Sequence, residues 1–441
     1  MAWGIAWESE MSISNRRLWM RSLPVGLAAL SLAALRADAA PLDPGGIPEV
    51  PFVEARAITL GAAVPLTGKL ADTGRYYRDA YQFTVNAINQ KGGIKVDGTA
   101  HKLALKLVDN KSDAKRNGLL HERLVLRHKV DFLLGPYSSN DVLVGSSVAE
   151  KYRVPMVQAG GASSRIFSRD YKYVFGTLPA AEDYFRSTIE MITKLPPQAK
   201  TVALISGDDS FNVTLSSGTS ALLKNAGLQI VLDQQYSENS PNFFNILTLI
   251  EAKAPDVLLW SGHESSAIRF IRAAKSRNIN PNLFASFTIG VSTANFRSTL
   301  GKDANGIFGM TPWLPAERLK DEWFGDARQF AEAYERKFGY APDYHAAAAA
   351  AAVEALAKAI ETAGTRERQA VRDAIAALDF GSLYGRVRFG ENGQIALPQT
   401  VIQIQNQNVV EIFTDEFINQ PLYTVPLGEK RTQPAPASLQ N

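Results

Sequence analysis

Two loops rich in glycine and serine carry the groups best suited to binding an anion. One has the sequence GPYSSN (residues 135–140) and the other AGGASS (residues 159–164). Each follows a predicted strand, and at the start of a helix the free backbone N–H groups and the helix dipole favour negative charge. The two loops therefore predict a carboxylate site. The alternative is that Ser138 or Asn140 only caps its own helix.

Motifs for other chemistries are incomplete. Residues 63–70 lack two positions of a phosphate-binding loop, and no glycine-rich dinucleotide motif follows the first predicted strand. His263 lacks the second histidine of a zinc protease, and no GxSxG motif is present. Asp208 and Asp209 could be paired catalytic acids, but they are predicted to cap a helix. Because no nucleophile stands beside a base, the sequence predicts a binding protein without a cofactor rather than an enzyme.

Composition excludes further kinds of site and partner. The chain has no cysteine, which excludes lipoprotein anchors, disulfides and thiolate sites. Its five histidines are too scattered along the sequence to predict a metal site. A net charge of only +3 over 441 residues argues against nucleic acid or an anionic membrane as the main partner.

Residues 1–39 have the pattern of a cleaved signal peptide. An apolar run at residues 23–35 follows three basic residues, Arg16, Arg17 and Arg21. Small residues suited to signal peptidase cleavage come next, at positions 37 and 39. The apolar run is shorter than the roughly 20 residues that a membrane-spanning helix needs. The pattern predicts a periplasmic protein exported by either the Sec or the twin-arginine route, with translation starting at Met1 or Met11.

Two series of alternating strands and helices follow the signal peptide. The first begins with predicted strand 57–64 and includes helices over residues 76–89 and 114–128. The second begins near residue 181, and long helices are predicted over residues 322–338 and 344–361. Such alternation predicts an α/β fold with two doubly wound parallel sheets. Ligands bind such sheets beyond the carboxyl ends of the strands, which is where both anion-binding loops fall.

A set of short sequences along most of the chain resembles the leucine/isoleucine/valine-binding family of type I periplasmic binding proteins. These sequences are VPLTGKLADTG (64–74), AINQKGGI (87–94), DFLLGPYSSND (131–141), YRVPMVQAGGAS (152–163), YKYVFGTLP (171–179), ALISGDDSF (203–211), DVLLWSGHESSA (256–267) and YGRVRFGENG (384–393). None is diagnostic alone, but their order and spacing extend over nearly the whole mature chain.

The resemblance implies two αβα lobes joined by three crossovers that act as a hinge. Lobe 1 would comprise residues 57–180 and 311–397, and lobe 2 residues 181–310 and 398–427. A disordered leader (40–56) and a loose tail (428–441) would flank them. The lobes would close around a small ligand and present it, as a monomer, to the permease subunits of an ABC importer.

The resemblance also implies which residues bind the ligand. In the family, a serine after the third strand and the groups after the fourth hold the ligand carboxylate. The corresponding residues here are Ser138 or Ser139, together with Gly160, Gly161 and Ser163. Three further residues correspond to positions that face the ligand from other loops, namely Thr73, Phe211 and His263.

Two departures from the family pattern leave the ligand open. Thr288 stands where leucine-type binders carry the acid that meets the ligand ammonium, and a buried ammonium without a carboxylate is costly. Either Glu182, Asp183 or Glu264 replaces that acid, or the ligand has no ammonium. Phe211 also replaces the usual tyrosine.

Three aromatic residues could enlarge the pocket or simply belong to the core, namely Trp260, Trp313 and Tyr344. The sequence therefore predicts capture of an amino acid of the branched-chain type, with an aromatic or other ammonium-free carboxylate as the alternative. A ligand sensor of the same fold and an exported α/β enzyme are the other functions considered.

Overall fold

The computed structural model describes residues 56–194, 198–316, 318–414 and 417–418. The predicted signal peptide, the tail 428–441 and all but the last residue of the predicted leader lie outside the described residues. Among the helices described, none is both long and apolar enough to cross a bilayer.

Nineteen strands and twelve α-helices make up the described chain. The strands are β1 Ile58–Val64, β2 Ile94–Val96, β3 Thr99–His101, β4 Leu103–Asp109, β5 Phe132–Leu134, β6 Met156–Gln158, β7 Val174–Gly176, β8 Thr201–Gly207, β9 Gln229–Tyr236, β10 Val257–Ser261, β11 Phe284–Phe287, β12 Phe308–Thr311, β13 Lys320–Asp321, β14 Gly325–Asp326, β15 Asp379–Ser382, β16 Gly385–Arg388, β17 Thr400–Gln405, β18 Asn408–Thr414 and β19 Phe417–Ile418. The helices are α1 Ala71–Gln90, α2 Ala114–Leu126, α3 Ser139–Lys151, α4 Ser164–Phe167, α5 Arg186–Lys194, α6 Ser210–Asn225, α7 Phe244–Lys253, α8 Glu264–Ser276, α9 Ala294–Leu300, α10 Ala327–Phe338, α11 Tyr344–Ala363 and α12 Arg368–Ala376.

The first sheet has five parallel strands in the order β4-β1-β5-β6-β7. Helices α1 and α11 pack together in one core cluster, whereas α2 and α3 pack in a second. The alanine run at residues 346–352 is fully buried, because its small side chains let α11 pack closely. The sheet is therefore covered by helices on both faces, as parallel sheets usually are.

The second sheet has eight strands in the order β19-β18-β17-β12-β11-β10-β8-β9. Strands β8 to β12 are parallel, and β17 to β19 join antiparallel at one edge. The chain passes between the sheets after β7, after β12 and before β17. The predicted α/β fold of two lobes joined by three crossovers is therefore confirmed.

Two predicted helix starts are wrong. Helix α1 begins at Ala71 rather than at residue 76. A Cβ at Gly74 would lie 1.8 Å from the Pro65 carbonyl oxygen, so this glycine permits close packing of the helix instead of ending a loop. Helix α10 begins at Ala327 rather than at residue 322, because β13 and β14 form a small hairpin and Asp326 caps the helix.

Candidate functional site: a cavity between the two lobes

A small cavity lies between the lobes at the carboxyl ends of the parallel strands. The space inside it that a water-sized sphere can occupy is only about 10 Å³, far below the roughly 300–1,000 Å³ of sites for drug-sized ligands. Its lining residues are Tyr137, Ser138, Ser139, Gly160, Ala162, Leu178, Tyr184, Phe211, His263, Ile289, Tyr344 and His345. The lining side chains nearly fill this space in the structure, and five of the predicted site residues line it.

The start of α3 places two buried serine side chains at this cavity. Ser139 Oγ accepts hydrogen bonds from the N–H groups of Ala162 (3.2 Å) and Ser163 (3.3 Å), so it joins the two predicted loops. Ser138 holds the N-cap position of α3 without making a capping bond. Within the described ranges Ser138 Oγ has no hydrogen-bond partner in the protein, so its hydroxyl is available to a ligand.

The loop after β6 is held by a side chain that sequence reasoning missed. Gln158 Oε1 accepts hydrogen bonds from the N–H groups of Gly160 (2.9 Å) and Gly161 (2.7 Å), and its Nε2 donates to Gly161 O (2.9 Å). The two amides expected to face an anion are therefore occupied in this structure. Gly160 lines the cavity. Only glycine fits at this position, because a Cβ there would lie 2.0 Å from the Pro136 carbonyl oxygen.

His263 is the charged group of the cavity. It follows β10 at the start of α8, with Nδ1 2.9 Å from Tyr137 OH and Nε2 3.1 Å from Asp209 Oδ2. Burial opposes the imidazolium, but the charges of Asp209 and Glu238 outweigh burial and raise the pKa of His263 to about 9. A protonated His263 therefore presents positive charge to the cavity at neutral pH.

Asp209 has two roles in this arrangement. Its Oδ1 accepts hydrogen bonds from the N–H groups of Phe211 and Asn212, so it caps α6 as predicted. Its Oδ2 meets His263, and although burial acts against ionisation, the charge of His263 lowers the pKa of Asp209. The pair thus stays ionised inside the protein.

Asp209, Glu238 and His263 bring three possible metal-ligand atoms within 4.8 Å of one another. The amide Nδ2 of Asn212 donates to both carboxylates, at 2.6 Å to Asp209 Oδ2 and 3.2 Å to Glu238 Oε1. Tyr236 OH donates to the same Glu238 oxygen at 2.9 Å. Because donors already satisfy these oxygens, the cluster is explained as a hydrogen-bond network that supports His263.

Aromatic rings form the walls of the cavity. Tyr184 meets Phe211 edge to face with ring centres 5.3 Å apart, and Tyr344 stacks on His345 at 3.9 Å. His345 is oriented by Asp343, whose Oδ2 lies 2.7 Å from its Nδ1. None of the described residues that line the cavity is Asp, Glu, Lys or Arg. Its polar groups are thus the imidazoles of His263 and His345 and the hydroxyls of serine and tyrosine, beside flat apolar surfaces.

The three acids proposed to meet a ligand ammonium lie elsewhere. Asp183 is exposed and pairs with Arg186, and Glu182 packs against Gly218 of α6. Glu264 lines a neighbouring pocket together with Thr73. Its Oε1 accepts a hydrogen bond from the Asn295 amide, its Oε2 is buried without a partner among the described residues, and burial raises its pKa to about 7.

Gly161, Ser163 and Thr288 are not cavity-lining residues among those described. Gly161 packs against Ile166 and Val142. Thr288 Oγ1 lies 3.2 Å from both the N–H and the carbonyl of Gly262, which joins the ends of β11 and β10. Its neighbour Ile289 lines the cavity.

The three aromatic residues that the sequence placed either in the pocket or in the core do not all lie in the same place. Trp260 packs with Phe270 in the core of lobe 2, and Trp313 donates from Nε1 to Leu383 O in the core of lobe 1. Tyr344 lines the cavity. Sequence reasoning also missed Tyr137, Tyr184 and His345. Tyr137 stands inside the serine loop, but no local sequence signal marks the other two.

The lobes are closed in this structure. Ser163 Oγ lies 2.6 Å from Thr214 Oγ1, and Asn140 Oδ1 accepts a hydrogen bond from Ser210 N at 3.2 Å. The bond between Tyr137 and His263 also joins the lobes. Residues from seven separate segments of the chain therefore form one site only when the hinge is shut.

A closed two-lobed α/β fold around a small cavity at the strand ends defines a ligand-binding protein. The chain belongs to the periplasmic binding protein family, which matches residues 57–408. This family consists of substrate-binding proteins rather than enzymes. The chain is 25% identical over 407 residues to Leu/Ile/Val-binding protein homolog 7 of Brucella suis, and the match covers 88% of this chain and 96% of the relative.

Solved structures have the same fold. A leucine binding protein from Thermotoga maritima matches with a TM-score of 0.71 and 21% identity, over 80% of this chain and 97% of that one. The solute-binding protein of an ABC transporter from R. palustris, in complex with benzoate, matches with a TM-score of 0.70 and 18% identity, over 82% and 99% of the two chains. The predicted resemblance to the leucine/isoleucine/valine-binding family is confirmed.

Proposed function

We propose that this protein captures a small carboxylate without an α-ammonium group, with an aromatic carboxylate as the best fit, for delivery to an ABC importer. One observation carries the proposal: the cavity combines the His263 imidazolium and the Ser138 hydroxyl with aromatic walls, and none of its described lining residues is an acid. The lobes would open and close again around the ligand. Its carboxylate would then take the place of Tyr137 OH at His263 Nδ1, beside Ser138, and its ring would lie between Tyr184, Phe211 and Tyr344.

The missing acid is the reason to prefer an ammonium-free ligand. An α-ammonium lies one carbon from the carboxylate and would be buried in the same cavity. Burying it without a carboxylate partner costs several kcal/mol in order of magnitude. A flat ring instead gains from contact with aromatic side chains, at roughly 0.5–1.5 kcal/mol per ring pair beyond the area buried. Similarity to a structure with bound benzoate supports this choice.

A branched-chain amino acid is the second candidate. The names of the Brucella relatives and the leucine binding protein of similar fold favour it. This ligand requires an acid near the cavity; Glu264 follows the lining residue His263, and its Oε2, like that of Glu182, is buried without a partner among the described residues. Glu264 would have to turn from Asn295 toward the ligand.

Transport is proposed on the closed geometry and the family. When the lobes close, they form one composite surface to which permease subunits at the inner membrane can bind. The pattern of residues 1–39 supports export to the periplasm, and no catalytic group is assigned. We propose that the protein works as a monomer. A sensor role would use the same cavity with a different partner.

Melting shifts with a ligand panel test the proposal. The protein is purified after export, unfolded and refolded to remove bound ligand, and mixed with benzoate, hydroxybenzoates, cyclohexanecarboxylate, phenylalanine or leucine. A ligand at about a thousand times its Kd adds roughly 4 kcal/mol to native stability, a shift of several degrees. Shifts with the ammonium-free acids support the proposal. A shift with leucine alone transfers the assignment to the second candidate, and no shift with any carboxylate overturns both.

A further inference from the structure

The edge of the first sheet opposite the ligand cavity is strongly basic. Each of its five parallel strands is preceded within three residues by an exposed lysine or arginine. These residues are Arg56 before β1, Lys102 before β4, Lys129 before β5, Arg153 before β6 and Lys172 before β7. Because parallel strands begin at the same edge, the five cations form a row.

Three further arginines extend the row. Arg127 is exposed at the C-terminal end of α2. Arg368 donates to Val130 O at 3.3 Å, and Arg366 contacts both Arg56 O and His101, which places the start of α12 at the same edge. We call these eight residues the basic edge.

The acidic residues at this edge are fewer and mostly face the backbone. Asp131 accepts a hydrogen bond from Thr59 N and also lies 3.9 Å from the Arg56 guanidinium, and Glu150 accepts hydrogen bonds from Lys172 N and Tyr173 N. Glu367 caps α12. With Asp170 they make four acids against eight Lys and Arg. A chain of nearly neutral overall charge therefore concentrates positive charge on one surface.

We propose that the basic edge binds the anionic phospholipid surface of the membrane. Rows of lysine and arginine are attracted to anionic lipid headgroups, and each contributes near the surface. Leu126 is 52% exposed beside Arg127, and an apolar side chain among cations suits a lipid interface better than a soluble polyanion. The proposal does not depend on which ligand is bound.

The position of the basic edge makes this binding compatible with ligand capture. The cavity lies at the carboxyl ends of the same strands whose amino ends carry the cations. A membrane-bound molecule would therefore keep its cleft accessible to solvent. Such binding would hold the protein in the layer of solvent where an importer is found.

Vesicle sedimentation tests the proposal. The exported protein is mixed at low salt with vesicles of phosphatidylcholine alone or of equal parts phosphatidylcholine and phosphatidylglycerol. We expect sedimentation only with the anionic vesicles, lost at high salt because the charges are screened. The variant R127E/K172E should bind the anionic vesicles at least 25-fold more weakly, on the basis of roughly fivefold per basic residue.

A matched control separates this surface from net charge. Lys224 and Lys253 are exposed in the last turns of α6 and α7 in lobe 2. K224E/K253E makes the same change in net charge and should sediment like the unaltered protein. Equal loss in both variants, or equal binding to neutral vesicles, overturns the proposal. So does binding to heparin but not to anionic vesicles, and melting temperatures report whether each variant is folded.

Discussion

Asp209→Asn should remove the positive charge from His263 and with it most of the carboxylate affinity. The Asp209 carboxylate, 3.1 Å from His263 Nε2, is the largest influence that favours the imidazolium against burial. Asparagine is also a good N-cap residue, so α6 should keep its capped start. The substitution therefore changes charge with little change of shape.

The magnitude follows from the pKa. In the folded protein the pKa of His263 is raised from 6.5 to about 9, which corresponds to about 3 kcal/mol of stability. Because the folded pKa is the higher one, this stability is complete below pH 6.5 and is lost as the pH rises toward 9. In the variant, burial dominates and His263 is neutral at pH 7.5. The charge-assisted hydrogen bond of about 1.5–3 kcal/mol that the ligand carboxylate would make at His263 Nδ1, in place of Tyr137 OH, is then missing, so affinity should fall about 10- to 150-fold.

Calorimetry across pH measures this effect with whichever carboxylate gives the largest melting shift. The unaltered protein should bind equally well at pH 6 and 7.5 and lose affinity as the pH passes about 9. The variant should bind weakly throughout that range. Proton NMR of the His263 ring, followed through a pH titration, reports its pKa directly.

Asp208→Asn is the matched control. Asp208 is adjacent and exposed, and its Oδ1 accepts a hydrogen bond from Glu238 N. Its replacement removes one carboxylate, as D209N does, but leaves His263 and its partner intact. If D209N keeps the affinity and pH profile of the unaltered protein, or if D208N loses as much, the assignment of His263 as the ligand's counter-charge is refuted.

Three further outcomes are expected. Burial raises the pKa of the Glu264 carboxyl to about 7, so the free energy of unfolding falls as the pH rises from about 4.5 to 7. Glu264→Gln should therefore melt at a higher temperature than the unaltered protein at pH 8, with little difference at pH 4. Gly160→Ala should lose more than 2 kcal/mol, because its Cβ would lie 2.0 Å from a carbonyl oxygen, whereas Gly381→Ala, with open space around it, should be nearly neutral in denaturant unfolding. Thr214→Val removes the 2.6 Å contact with Ser163 across the lobes, and small-angle scattering should show a more open protein without ligand.

Local patterns were sufficient for most of the fold. Strand β1, Ile58–Val64, lies within one residue of the predicted range 57–64, because a run of apolar residues and the turn after it are local signals. The start of α1 was not predictable in the same way. Gly74 has the sequence signature of a loop, and only its approach to Pro65 explains a glycine inside a helix.

The candidate site was predicted in part. Ser138, Ser139 and His263 follow strands, so the general rule for open α/β sheets places them at one edge. Tyr344 and His345 begin a helix more than 200 residues after the serine loop, and no local pattern assigns them to the same cavity. The binding role of each residue stays a prediction.

From the sequence by itself came the class of fold, the two-lobed organisation and the loops that meet at the strand ends. Periodicity and motif order are sufficient for these, because they depend on neighbouring residues. Three features followed only from the tertiary structure. The Gln158 side chain accepts hydrogen bonds from the N–H groups of Gly160 and Gly161, and the Asp209 carboxylate favours the protonated form of His263. None of the described residues that line the cavity is an acid. These depend on side chains brought together across the hinge, and charge and burial at such a site are properties of the closed fold rather than of any one segment.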